Sequence, residues 1–268
     1  MPSFLVAAIQ LNSQDRPEIN MDTISTLTSD AAQNGAQMVA LPESAHYLSD
    51  LHMAAHAESM DGPTLSIYRQ LAKDHGIYFC GSFAERTNDP KRAFNTAVLI
   101  SPEGEIIAVY RKIHLFDVAI GDAVDHMESR HTLPGDRSVV AKTPCGVMGL
   151  AICYDLRFPE LFRQLGDKGA DIIIIPAAFT LYTGKDHWEV LLRARAIENQ
   201  VYVVAPAQWG PHPVNKTCFG NTMIIDPWGT VIARASEGPG YILAPVDTGR
   251  IIKVRSQLPC LQNRRFFN

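Results

Sequence analysis

The chain has 268 residues, 46% hydrophobic and 19% charged, and a net charge of −4 from 24 Lys and Arg against 28 Asp and Glu. This composition excludes a disordered, collagenous or coiled-coil protein. It also lacks the basic excess that a nucleic-acid or anionic-membrane partner would need.

Apolar and amphipathic segments alternate along the whole length, with no Ser/Gly-rich linker or charge block, so one domain spanning 1–268 is expected. Phe4 to Leu11 reads as the first strand. It has no cationic flank and is interrupted by Gln10 and broken off before Asn12, unlike an export signal. Further strands are predicted over Met38 to Leu41, Ile77 to Phe83, Thr96 to Ile100, Ile106 to Tyr110, Val147 to Ile152, Ile172 to Ile175, Val201 to Ala205, Thr222 to Ile225 and Tyr241 to Val246. Several are continuous apolar runs, the pattern of strands covered on both faces. The longest, DIIIIPAAF, is far shorter than the roughly 20 residues of a membrane helix. The clearest helix is DHWEVLLRARAIENQ, with Asp186 and Glu189 as a capping pair and Val190, Leu191, Ala194 and Ile197 at helical spacing.

The segments GAQMVALPE (35–43) and GADIIIIPA (169–177) share the order Gly-Ala-polar-four apolar-Pro, half a chain apart. Each follows a helical segment, so each half reads as a β-α-β unit. Two related sheets with helices outside, a four-layer α-β-β-α sandwich, are expected.

In parallel sheets ligands collect beyond the carboxyl ends of strands. There the chain places Glu43, Cys153, Phe179 with Thr180, and Gln208. Cys153 stands where a buried strand turns abruptly into a segment with Pro159 placed for an early helical position, the layout of a nucleophile elbow whose backbone N–H groups form an oxyanion hole. On context alone a buried, inert thiol is as good a reading. A reactive thiol needs a base or a cation beside it. Glu43 can be the base, and Lys112, at the end of IIAVYRK, the cation. The other cysteines (Cys80, Cys145, Cys218, Cys260) are scattered without CxxC spacing, which fits a reducing cytoplasm and neither a disulfide framework nor a zinc site. The nine histidines show no HExxH, so no metal is expected, although a Cys/His enzyme using His187 stays open at this point.

The segments LPES, YRKIHLFD and GLAICYDLRFPE together resemble the three signature segments of the nitrilase superfamily of carbon-nitrogen hydrolases, in that family's order Glu, Lys, Cys. The resemblance covers nearly the whole chain. It implies Glu43 as general base, Lys112 as oxyanion stabiliser, Cys153 as nucleophile with the Tyr154 N–H beside it, and Glu128 in HMESRHTLPGD as the second glutamate that holds the lysine. The segments SRHTLPGD, TGKDHWEVLLRARAIENQ, APAQWGPH and DPWG resemble the branch of deaminated-glutathione amidases and omega-amidases, where Arg157, Phe179 and Thr183 match pocket-lining positions. The resemblance implies an amidase that forms a cysteine thioester, uses no cofactor and acts on a small amide bearing a carboxylate, in a metabolite-repair role. Deaminated glutathione is the first substrate expected, with alpha-ketoglutaramate, or another amide or carbamoyl substrate of the superfamily, as the alternative. Arg157, four residues after the nucleophile, is expected to anchor the carboxylate, a structural ion pair with Asp155 or Glu160 being the other reading. Members of the family are usually dimers or larger. The C-terminal LQNRRFFN is expected to dock on a partner subunit, and Arg193 and Arg195 to lie on a solvated or subunit-facing side. Trp188 and Trp209 read as packing residues.

Overall fold

The computed structural model describes residues 3–49, 54–121, 124–213 and 216–266. The chain opens with β1 (Phe4–Gln10), α1 (Pro17–Gln33), β2 (Met38–Ala40), α2 (Pro63–His75), β3 (Tyr78–Glu85), β4 (Ala93–Ile100) and β5 (Ile106–Arg111). Shorter strands β6 (Asp117–Ile120), β7 (Val124–Met127) and β8 (Thr132–Leu133) lead to β9 (Val139–Thr143) and β10 (Gly146–Leu150). A 3-10 turn over Cys153–Arg157 precedes α3 (Pro159–Asp167), β11 (Ile172–Ile174), α4 (Leu181–Asn199) and β12 (Tyr202–Ala205). The chain then adds β13 (Trp209–His212), β14 (Lys216–Phe219), β15 (Met223–Ile225), β16 (Val231–Arg234), β17 (Gly240–Val246) and α5 (Thr248–Gln257).

The first sheet has the order β17-β1-β2-β3-β4-β5, with β8 beside β4, and the second the order β16-β15-β12-β11-β10-β9. Alternation along the strands shows how they stack. Val6, Ala8, Met38, Ala40, Cys80, Leu99 and Tyr110 point into a core shared with the second sheet. Their neighbours Ala7, Ile9, Val39, Phe79, Val98 and Ile100 point the other way, onto Met21 and Ile24 of α1 and Leu65, Tyr68 and Ala72 of α2. With successive side chains on opposite faces, both faces of the sheet are buried, hence the unbroken apolar runs. The second sheet packs its other face on α3 and α4 through Leu161, Phe162, Leu165, Trp188, Leu192 and Ala196. The result is the expected four-layer α-β-β-α sandwich.

The half-chain echo is structural. Gly35 and Gly169 follow α1 and α3 at φ 89° and 85°, a left-handed conformation that glycine adopts without strain. Each leads into the middle strand of a parallel trio, β1-β2-β3 in one sheet and β10-β11-β12 in the other.

The sequence expectations for the long helix and for Arg195 are corrected. The long helix begins at Leu181, where Thr180 caps it by accepting from the Thr183 N–H at 3.4 Å, so Asp186 lies inside the helix. Its buried stripe is Trp188, Leu192, Arg195 and Ala196, leaving Val190 66% and Ile197 46% exposed. Arg195 is buried, and only Arg193 occupies a solvated side. The tail is tied to its own chain by Arg264 to Asp167 of α3, while Phe266 points outward; Phe267 and Asn268 lie outside the described residues. Val124, Asp125 and His126 belong to the β6–β7 hairpin, Asp122 and Ala123 lying outside the described residues. Strands β6, β7 and β16 were unexpected because they are only four residues long and alternate between half-buried and exposed.

Gly184 sets how closely α4 meets the β13–β14 hairpin, since a Cβ there would stand 2.4 Å from the Phe219 Cβ. Gly184→Ala would gain up to about 1 kcal/mol in helix propensity. The overlap costs typically 1–3 kcal/mol and outweighs it. The variant should melt several degrees below the parent in thermal unfolding, and an unchanged or higher Tm would show that the hairpin shifts without cost.

Candidate active site

The carboxyl ends of the central strands of both sheets open into one cleft of about 930 Å³, continuous with solvent and lined by Glu43, His46, Asn95, Lys112, Glu128, Cys153, Tyr154, Arg157, Phe179 and Thr183 among others. Glu43 stands three residues beyond β2 and Cys153 three beyond β10, so each sheet delivers one group to the same point. The backbone turns left-handed at both places, at Ser44 (φ 54°) and at Cys153 (φ 48°). Non-glycine residues in this region are strained by about 1–3 kcal/mol and persist only where their surroundings hold them.

At the centre is the Lys112 ammonium, 2% exposed in its side chain. It lies 3.0 Å from Glu43 Oε1, and 3.1 and 2.8 Å from the two oxygens of Glu128. Asn95 Nδ2 donates to Glu43 Oε1 at 2.8 Å and lies 3.5 Å from Glu128 Oε1, while its carbonyl accepts from the Lys112 N–H at 2.9 Å. Glu43 Oε2 accepts from the Ala178 N–H, just beyond β11, at 3.0 Å. Gln208, beyond β12, donates to the Glu43 carbonyl at 3.0 Å. Every lone pair that could let the Glu43 carboxylate swing is held from one sheet or the other.

These contacts set the charges. Burial pushes Glu43 upward, but the Lys112 charge, its hydrogen bond and that of the Cys153 thiol outweigh it, so the carboxyl sits below its ordinary value of 4.5 and is ionised at neutral pH. Burial would strip the proton from Lys112, yet Glu128, Glu43 and the nearby Cys153 hold it, and the ammonium persists well above the usual lysine range. The Cys153 thiol is pushed well up by burial and then by the Glu43 charge, against the pull of Lys112. The resting group is therefore a thiol that donates to a carboxylate. The histidine alternative is not met in this geometry: the hydrogen-bond partner of Cys153 is Glu43, whereas His187 Nδ1 lies 3.2 Å from the Arg157 guanidinium.

The sequence profile of the carbon-nitrogen hydrolases matches residues 5–256. The chain belongs to the carbon-nitrogen hydrolase family. It is 43% identical to the deaminated glutathione amidase of Mus musculus over 97% of this chain and 83% of that one. It is 41% identical to the deaminated glutathione amidase of Synechocystis sp. over 99% of this chain and 100% of the other. Among solved structures, the NitFhit protein of C. elegans superposes with a TM-score of 0.92 at 37% identity, covering 98% of this chain and 65% of that one. This hydrolase is thus an enzyme of the amidase type with the nitrilase-superfamily fold.

The residues around the hydrolase's elbow were only partly visible in the sequence. Asp155, fully buried, accepts from the Ile152 N–H at 2.9 Å, the Tyr110 hydroxyl at 2.6 Å, and the His114 N–H and Nδ1 at 3.0 and 2.7 Å. It thereby ties the turn that carries Cys153 to the strand that carries Lys112. Arg195, on α4, donates twice to the Leu156 carbonyl at 3.0 and 2.7 Å and pins the same turn from behind. The Tyr154 N–H, in the first step of the turn, meets no acceptor among the described residues. Arg157 makes no ion pair with Asp155 or Glu160: Asp155 is fully engaged, and the guanidinium lies over the rings of Phe179 and Tyr154 at 5.3 and 5.8 Å. Thr183 is buried at the cleft wall, its hydroxyl 2.9 Å from that of Thr180, and Trp188 is packed away with its indole N–H on the Asn221 carbonyl.

Tyr110→Phe tests the tie between the sheets, because it leaves one buried Asp155 oxygen short of a donor while preserving the ring. The loss should be about 1–3 kcal/mol of stability, read from denaturant unfolding. A variant as stable as the parent would remove Asp155 from its bridging role.

Proposed function

We propose that this hydrolase cleaves a linear amide through a Cys153 thioester. The observation that carries the reading is the buried contact of Cys153 with a Glu43 carboxylate that is itself held by Lys112. Glu43 takes the thiol proton as the sulfur bonds to the amide carbon, and the carbonyl π pair moves onto oxygen, beside the Lys112 ammonium and the Tyr154 N–H. The C–N bond then breaks with the proton on Glu43 passing to the amine. A water gives its proton to the same carboxylate as it attacks the thioester, and collapse of that adduct returns the thiol and releases the acid. Glu128 holds Lys112 in place throughout.

The substrate read here is deaminated glutathione, giving 2-oxoglutarate and cysteinylglycine, a metabolite-repair reaction; two relatives above 40% identity are named for that activity. Arg157 supports it, being a guanidinium at the cleft with no carboxylate partner among the described residues and two aromatic rings beneath it, suited to grip the keto-acid carboxylate in a fork. Alpha-ketoglutaramate shares that acyl half and is the alternative. Five cysteines, none of them in a disulfide among the described residues, fit a reducing cytoplasm. Exposed Leu181, Tyr182, Val190 and Ile197 along α4 support a homodimer or larger homo-oligomer.

Two measurements test the chemistry. Because the Glu43 carboxyl sits below 4.5, the base is present at neutral pH and lost only as pH falls through that lowered value. The acid limb of kcat/KM should therefore lie below 4.5, and a limb near the ordinary histidine value of about 6.5 would hand the role to a histidine. Cys153→Ala should fold with the parent's Tm within a few degrees and release no amine, and turnover above a few per cent would end the nucleophile assignment. For Arg157→Lys, which keeps the charge and loses the fork, KM for keto-acid amides should rise roughly tenfold, about 1.4 kcal/mol, and KM for neutral amides much less. Equal rises would show that the arginine does not read the carboxylate.

A further inference from the structure

Asn95 is the third residue of β4 and 3% exposed, in a strand that is otherwise buried and largely apolar. Asparagine is a poor strand former, and the sheet makes no use of this side chain. The backbone of Asn95 pairs with Ala84 of β3 and accepts from the Lys112 N–H, as any residue at that place would. The amide serves the charged cluster instead. Nδ2 stands 2.8 Å from Glu43 Oε1 and 3.5 Å from Glu128 Oε1. Its neighbours require that orientation, because the flipped amide would set its oxygen against two carboxylates.

The donors divide the two oxygens of Glu43. Oε1 accepts from Lys112 Nζ at 3.0 Å and from Asn95 at 2.8 Å, which fills both of its lone pairs. Oε2 accepts from the Ala178 N–H at 3.0 Å, and that N–H also reaches the Cys153 sulfur. Oε2 is thus the oxygen on the sulfur's side, with a lone pair left for the thiol proton. In the proposed mechanism the Lys112 ammonium is drawn to the substrate oxygen as charge develops there, which leaves Oε1 one donor short. Asn95 is neutral, is fixed by its strand, and has no part in that transfer of charge. Resting on the function proposed above, we infer that Asn95 is a positioning residue: it occupies Oε1 so that Oε2 takes the thiol proton, and it keeps the protonated Glu43 in place when Lys112 turns to the substrate. The proton freed as the S–C bond forms then travels on Oε2 and passes from it to the departing nitrogen as the C–N bond breaks.

Asn95→Leu keeps the size of the side chain and removes the donor. A hydrogen bond to a carboxylate favours its charged form, so the loss raises the Glu43 pKa, and the acid limb of kcat/KM should move up by about one pH unit. The other charges near Glu43, on Lys112, Glu128 and, farther off, Lys216 of β14, stay in place. With deaminated glutathione kcat should fall about tenfold while KM stays within about twofold, because the lost contact holds the base and not the substrate. The pH dependence of Cys153 alkylation by iodoacetamide should shift in step, and this second readout needs no amide. Failure of the parent to turn over deaminated glutathione would therefore sink the substrate reading, while the alkylation profiles still decide the role of Asn95. Asn95→Ala removes the same donor without apolar bulk, in case Asn95→Leu does not fold. Acid limbs within about 0.3 pH unit of the parent's, a rise in KM at unchanged kcat, or failure of both variants to fold would overturn the assignment.

Discussion

The Lys112 ammonium lies out of water between two carboxylates, and the chemistry available to the cleft depends on that contact. A buried ion is tolerated only when its partners replace the lost hydration, and removing one member of such a group typically costs about 3–5 kcal/mol. Here one cation meets two anions, Glu43 and Glu128, so the cluster keeps a surplus negative charge. Burial first, and then that surplus, explain why Cys153 is pushed up instead of becoming a standing thiolate: a third anion beside Glu43 is disfavoured despite the lysine. Proton transfer to Glu43 must then accompany attack on the substrate. Under the proposed mechanism the transfer also neutralises one of the two partners of Lys112 at the moment when negative charge develops on the substrate oxygen. The ammonium is thus most available to that oxygen when it is needed, which is the differential interaction that lowers a barrier.

Such a cluster is only as good as the rigidity around it, and the four-layer fold supplies it by making each sheet hold what the other delivers. Glu43 comes from the first sheet, but its second oxygen is held by the Ala178 N–H and its carbonyl by Gln208, both from the second. Cys153 comes from the second sheet, but Asp155 in its turn is held by Tyr110 and His114, which flank Lys112 in the first. The left-handed residues Ser44 and Cys153 sit where these bonds are densest. Arg195 closes the arrangement from α4. A displacement of one sheet against the other would break several buried hydrogen bonds together, so neither half can drift alone.

The parts of this design that were legible in the sequence are those with a local signal. Continuous apolar runs gave the doubly covered strands, the Gly-Ala echo gave the two halves, and the polar residues at strand ends gave Glu43, Lys112 and Cys153. What was not legible depends on partners distant in the chain. Asn95 is an unremarkable polar residue within a strand until the fold sets it between Glu43 and Glu128, 52 and 33 residues away. Arg195 reads as a solvated helix charge because sequence spacing does not show which stripe of α4 faces the elbow. The cap at Thr180 was missed for a similar reason: Asp186 with Glu189 satisfies the local rule for a helix start, but tertiary packing lengthens α4 past it. Even the charge states belong to the fold, since Lys112 and the Cys153 thiol bring Glu43 down against its burial, while burial and then the Glu43 charge push Cys153 up against Lys112.

The polar groups of the cleft fall into two kinds, and the difference bears on specificity. Glu43, Asn95, Lys112, Glu128 and Asp155 have their hydrogen bonds made within the protein, which holds the reacting groups before substrate arrives. Among the described residues the Tyr154 N–H has no such partner, and Arg157 has only a histidine and two aromatic rings. Groups of the second kind face the solvent-filled cleft, and a ligand that covers them must present the right acceptor or donor at each point. A ligand lacking one of those groups leaves a buried polar atom unpaired, a penalty larger than the gain from one ordinary hydrogen bond. Discrimination among amides therefore rests less on the shape of the cleft than on how many of its unsatisfied groups a given substrate can complete.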